Sequence, residues 1–161
     1  MQKWEVKVVD RRKFLKASAG AVAGAVLASQ LTSALAQGAL EGEDLANLEK
    51  GLQQVLGKSF KDLAPSQQVK LVAPTIAESG ANVPVEIEAS LPADQVKAIH
   101  CFSDKNANPL LFTVILNGVL PYYATRVRVA ETAPVRAVVE TKDGKFLLAS
   151  QSVRVTVGGC G

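Results

Sequence analysis

Val83-Pro84-Val85-Glu86-Ile87-Glu88-Ala89-Ser90-Leu91 alternates apolar and polar residues without a break. That two-residue period belongs to a strand with one buried and one solvated face, because a helix would scatter the same apolar side chains around its cylinder. The alternation returns in Thr125-Arg126-Val127-Arg128-Val129 and again in Val153-Arg154-Val155-Thr156-Val157. Residues 110–116 are apolar except for Thr113 and read as a central strand covered on both faces. Residues 135–141 and 145–150 flank Lys142-Asp143-Gly144, and Asp-Gly between two apolar runs is a strong hairpin signal. With 69–73 and 96–102 the count reaches about eight short strands, punctuated by Pro, Gly, Asn and Asp. This spacing predicts a mainly β chain, an immunoglobulin-like antiparallel β-sandwich over 66–157. Trp4 stands far upstream, so the Cys-Trp-Cys hallmark of true immunoglobulin domains is missing.

Ahead of the strands, Leu45, Leu48, Leu52 and Val55 recur at helical spacing, with Asp44 as N-cap and Gly57 as the stop. A second short turn is expected near 60–63, closed by Pro65. Residues 37–65 therefore read as a short N-terminal helical segment laid across the sandwich.

The 161 residues are 48% hydrophobic and 20% charged, enough for one domain with a core and too apolar for a disordered chain. The formal charge of +3 is unevenly placed. Lys3, Lys7, Arg11, Arg12, Lys13 and Lys16 crowd the beginning against only Glu5 and Asp10, which leaves the rest of the chain nearly neutral. A nucleic-acid-binding surface is therefore not the source of the excess. From Ala17 to Leu35 an Ala- and Gly-rich, uncharged stretch runs into Ala34-Leu35-Ala36, the small-x-small pattern of a signal-peptidase site. Asp10-Arg11-Arg12-Lys13-Phe14-Leu15-Lys16 is similar to the twin-arginine signal, with Asp10 where that pattern usually has Ser or Thr. Residues 1–36 are thus expected to be a cleaved twin-arginine address carried by Arg11 and Arg12. The mature chain is then periplasmic, with no membrane attachment after cleavage. That route carries folded proteins, so a short chain using it points to a bound cofactor or to export beside a partner.

Side chains for chemistry are few. No Cys/His cluster has metal-ligand spacing, and no Cys-x-x-Cys-His, nucleophile elbow or phosphate loop occurs. His100, the single histidine, reads as a surface or hydrogen-bonded strand residue; Glu86 and Glu88 read as one solvated strand face. Cys101 lies mid-strand, where a free Cys packs as a small hydrophobe. Cys160 is different. It sits in Gly158-Gly159-Cys160-Gly161, after the last strand, where flanking glycines have no Cβ and take almost any backbone conformation. Four extended residues reach roughly 13 Å at about 3.3 Å each. Such a tail buries nothing, but it can carry a thiol into a narrow site on another protein. Prenylation needs Cys four from the end. A Cys101–Cys160 disulfide would staple a glycine tail rigidly. A disulfide to a partner, in an exported binding or accessory module, is the alternative to a carrier. A thiol-reductase-type enzyme lacks a second nearby Cys and a general base.

The ending Val153-Arg154-Val155-Thr156-Val157-Gly158-Gly159-Cys160-Gly161 resembles the C-terminus of the SoxY family, the sulfur carriers of the periplasmic thiosulfate-oxidising Sox system. The resemblance extends through residues 74–85, 106–110 and 125–132. Family members often end with one further Gly, and Cys101 is outside the family's motif. The resemblance implies a non-enzymatic carrier without a cofactor or metal of its own. Cys160 would hold the substrate covalently, and Gly158, Gly159 and Gly161 would give the arm its freedom. It also implies partners. A second small subunit, SoxZ, completes a heterodimer, and co-export with it accounts for the twin-arginine address. A c-type cytochrome joins thiosulfate to the thiol, a manganese-dependent hydrolase releases sulfate, and in some systems a sulfur dehydrogenase oxidises the remaining sulfur.

Overall fold

The structure, a computed structural model, describes residues 42–157. Three layers stack: a small sheet, a large sheet and a helix. The helix, α1 (Gly42–Leu56), is followed by a 3-10 turn at Phe60–Asp62. Nine strands then run β1 (Ala64–Pro65), β2 (Val69–Val72), β3 (Ile76–Ser79), β4 (Val83–Ala89), β5 (Val96–Ser103), β6 (Leu110–Ile115), β7 (Tyr122–Val127), β8 (Ala133–Thr141) and β9 (Phe146–Val157). The large sheet is ordered β1-β9-β8-β5-β6, with β3 also paired to β9; the small sheet is β2-β4-β7. All pairings are antiparallel except β1 and β3, which run parallel to β9.

The alternation that opened the argument is realised in β4. Val83, Val85, Ile87 and Ala89 are buried between the sheets, while Pro84, Glu86 and Glu88 face water. They meet Val96, Ile99 and Cys101 of β5, Val135, Ala137 and Val139 of β8, and Val153 of β9. The opposite face of the large sheet carries a second core. Leu48 and Leu52 of α1 and Leu63 pack there on Phe102, Val138, Phe146 and Leu148. A Cβ at Gly51 would lie 2.5 Å from Cγ of Pro109, so only glycine lets α1 approach this closely.

Several expectations change. The strands covered on both faces are β5 and β8; residues 110–116, expected to be central, form the edge strand β6, with Ile115 72% exposed. A run so largely apolar does not say which of its faces is covered. The segments expected at 145–150 and 153–157 form one strand of 12 residues, because Gln151 and Ser152 stay in ladder with Val135 and Pro134. The helix begins at Gly42, three residues before the start that an Asp44 N-cap implies, so Asp44 lies in its first turn, where a carboxylate still suits the helix N-terminus. Asp44 also reaches Lys105 at 3.6 Å. Gly57 stops the helix as expected: its φ is +63° and its N–H donates to the Gln53 carbonyl at 3.1 Å. The hairpin at Lys142-Asp143-Gly144 forms with Gly144 at φ +83°.

Candidate functional site

Gly158, Gly159, Cys160 and Gly161 lie outside the described residues, as do Arg11, Arg12 and the whole of 1–36. What the structure describes is the root from which the C-terminal segment continues. The end of β9 is laced to β3 in parallel register, Ile76 to Arg154, Ala77 to Val155 and Ser79 to Val157. The Arg154 N–H donates to the Thr75 carbonyl at 2.9 Å, and the Val157 carbonyl accepts from the Gly80 N–H at 2.9 Å. The Thr156 hydroxyl donates to the Glu78 carbonyl at 2.9 Å. Gly80 is itself fixed, since its carbonyl accepts from the Val129 N–H at 2.7 Å. Ala77 and Val155 turn inward onto the core, which gives this short ladder an apolar footing. The chain is therefore held by the sheet up to Val157.

Between Val155 and Gly161 the sequence has no ionisable side chain except that of Cys160. The nearest charged residue along the strand is Arg154, and Glu78 lies across the ladder from Thr156. No base adjoins Cys160 in sequence to draw off its proton.

The other thiol is shut in. Cys101 is fully buried between the sheets, beside Ala137 and Phe112 in the ladders. Burial pushes its thiol up to about 12, with the Phe102 backbone pulling weakly the other way. His100 points to the opposite face, so the two neighbours do not form a Cys–His couple. The His100 Nδ1 lies 2.9 Å from Thr113 Oγ1. Its Nε2 has no hydrogen-bond partner, and the Glu140 carboxylate stands 3.6 Å away, itself held by Lys97 at 2.7 Å. Burial lowers the His100 pKa, and Glu140 opposes that shift. Glu86 and Glu88 lie on the solvated face of β4, as expected, and Tyr122 donates to Glu86 at 3.4 Å. Among the described residues no group of three His, Cys, Asp or Glu could hold a metal ion.

The sequence reading missed one buried polar cluster. Arg136 and Asp104 are almost wholly buried beneath the N-terminal helical segment, and the guanidinium grips both carboxylate oxygens, Nε to Oδ1 at 2.9 Å and Nη2 to Oδ2 at 2.8 Å. Arg136 Nη1 also donates to Ser150 at 3.0 Å, and the guanidinium lies 4.9 Å from the Phe60 ring centre. Asn47 of α1 donates to the carbonyls of Asp104 and Asn106. Burial raises the Asp104 pKa, and the Arg136 hydrogen bonds pull it back. The signal was an arginine in the middle of the apolar run 135–139. This cluster ties helix to sheet.

No curated protein sequence matches the chain. Among solved structures, the sulfur carrier protein SoxY from Chlorobium limicola f thiosulfatophilum matches with a TM-score of 0.59 and 29% identity, covering 70% of this chain and 98% of that one. A superoxide reductase (neelaredoxin) from Ignicoccus hospitalis shares the sandwich at a TM-score of 0.52 and 13% identity, covering 61% of this chain and 99% of that one, a likeness of fold alone. The model of the family described as sulfur oxidation protein SoxY matches residues 52–160, a span that runs from the helix through both sheets to Cys160. The chain belongs to the SoxY family.

Proposed function

We propose that this sulfur oxidation protein is a periplasmic carrier that holds thiosulfate-derived sulfur on Cys160 and presents it to the enzymes of a Sox system. The observation that carries the reading is the reach of the family match: it extends through Cys160, beyond the last described strand residue. The solved relative named as a sulfur carrier, matched over 98% of its length, supports the same role. The chain is a carrier and not an enzyme: the thiol that reacts has no neighbouring base in sequence, and each client supplies the catalysis.

The chemistry follows from a thiol on a neutral arm. In loading, the Cys160 thiol loses its proton and an S–S bond forms to the outer sulfur of thiosulfate. The pair of electrons released goes to the c-type cytochrome. In the next step water attacks the terminal sulfone on the manganese-dependent hydrolase, sulfate leaves, and a persulfide stays on the carrier. A sulfur dehydrogenase would then take six electrons from the outer sulfur while three waters supply its oxygens, and hydrolysis of the resulting S-sulfonate would release a second sulfate and free the thiol. An ordinary thiol is ionised only in part at neutral pH, and no base adjoins Cys160 in sequence, so activation falls to each client's pocket.

A SoxZ-like subunit completes the carrier in this proposal, and export occurs by the twin-arginine route through Arg11 and Arg12. The fold supports a partner. Strands β6 and β7 are open edges, and Ile115, Val119, Leu120 and Tyr122 stand exposed on and between them. Size exclusion of the mature chain tests this: self-association relieved by the second subunit is expected, and a monomer indifferent to it refutes it.

The test of the carrier role is loading. Incubated with thiosulfate and the cytochrome enzyme, wild-type protein and Cys101→Ser gain a thiosulfonate adduct in intact mass, while Cys160→Ser folds normally and gains none. An adduct on Cys160→Ser defeats the proposal.

A further inference from the structure

We propose that Thr132 is a positioning residue that closes the open edge of β9 at Val155 and so fixes where the C-terminal arm begins. β8 starts at Ala133, opposite Val153, and two residues later along β9 its main chain no longer supplies a partner. The Thr132 side chain takes that place. Its hydroxyl accepts from the Val155 N–H at 3.0 Å and donates to the Val155 carbonyl at 3.3 Å, replacing both hydrogen bonds that a strand neighbour would make. On the opposite edge β3, Thr75 and Gly80 hold Arg154 through Val157. The last turns of the ladder are thus gripped from both sides, by a strand on one and by a single exposed hydroxyl on the other.

The consequence is geometric. With both edges closed, the chain is held through Val157, and the four residues 158–161 span at most roughly 13 Å at about 3.3 Å each. If the root frays back to Val153, the length beyond the last held residue doubles to eight residues and roughly 26 Å. Effective concentration falls roughly as the −3/2 power of tether length, so doubling it dilutes a terminal group about threefold. The importance of this for turnover rests on the carrier role proposed above; the clamp itself does not.

Thr132→Val keeps the branched shape and removes the hydroxyl, and Thr132→Ser keeps the hydroxyl. Because residue 132 is exposed, both variants are expected to fold. Three readouts are made on the full mature chain. Amide hydrogen exchange at Val155 is expected to quicken about tenfold in Thr132→Val, since two hydrogen bonds are lost, and to return near wild type in Thr132→Ser. A nitroxide on Cys160 (Cys101 being buried) is expected to give a narrower, more mobile spectrum in Thr132→Val and the wild-type spectrum in Thr132→Ser. Loading with thiosulfate by the cytochrome enzyme is expected to fall in kcat/KM, by at most about threefold because β3 still holds the other edge, while alkylation of Cys160 by iodoacetamide is unchanged. Unchanged exchange at Val155 or an unchanged nitroxide spectrum in Thr132→Val overturns the clamp. Faster exchange with normal loading overturns its positioning role. Wild-type protein that accepts no sulfur at all refutes the carrier reading, and the exchange and nitroxide results still decide the clamp.

Discussion

The two cysteines differ enough in environment that their reactivities can be separated by arithmetic. Cys101 has no solvent exposure, and burial pushes its thiol up to about 12. Against the ordinary thiol value of 9.0 that is a rise of about three, so below both values a thiol at the ordinary value has a thiolate fraction roughly 1,000-fold greater. The thiolate is the nucleophile, so this ratio bounds the selectivity from ionisation alone, before the barrier of reaching a thiol between two sheets. Folded protein treated with iodoacetamide near pH 7.5 is therefore expected to take one label, at Cys160, with Cys101 reacting only after denaturation. Intact mass after the first reagent, followed by a second reagent of different mass in urea, reads both sites. Labelling of Cys101 in the folded state within about a factor of ten of Cys160 would refute the placement of that thiol in the core. It would also remove the basis for assigning sulfur chemistry to one cysteine.

Three further outcomes follow from the geometry. Asp104→Ala strands a buried guanidinium and is expected to cost about 3–5 kcal/mol, whereas Asp104→Leu with Arg136→Met recovers most of it; urea midpoints that fall additively in the double variant contradict this. Burial holds the His100 pKa below 6.5, so the unfolded chain takes up a proton before the folded one as the pH falls. Stability is then full above about pH 6.5 and declines below it, and His100→Gln is expected to flatten that decline in thermal unfolding; an unchanged slope in the variant rejects the assignment. Gly158→Val with Gly159→Val adds width and restricts the backbone without altering the thiol's charge environment, so loading by the cytochrome enzyme drops while a small thiol reagent reacts at the wild-type rate. Equal rates in both assays make these glycines passive spacers.

Local pattern revealed what local physics decides. The alternation of 83–91 fixed which face of β4 is buried, and Asp143-Gly144 announced a hairpin because a tight turn needs a positive φ there. The lining of residues 45–55 foretold a helix with one apolar stripe. Long-range pairing was not legible. Residues 110–116 look more buried than β8, whose run is interrupted by Arg136 and Glu140, yet β8 is central because both its neighbours and the helix cover it. Gln151 and Ser152 look like a break and are not, since ladder partners rather than composition continue a strand. The parallel pairings of β1 and β3 join segments some 80 residues apart and leave no trace in periodicity. At the site, Cys160 stood out because its thiol is set between glycines after the last strand rather than within an apolar strand pattern. Thr132 did not, because a single threonine ahead of a strand is unremarkable until the strand beside it loses its neighbour.

The most direct test of the account is the mass of the C-terminal peptide of this protein recovered from thiosulfate-grown cells without reductant. The account predicts thiosulfonate and persulfide masses on the peptide containing Cys160, removed by reductant, and an unmodified peptide containing Cys101. A Cys160 peptide found only as free thiol, or only disulfide-linked to another protein, would contradict it.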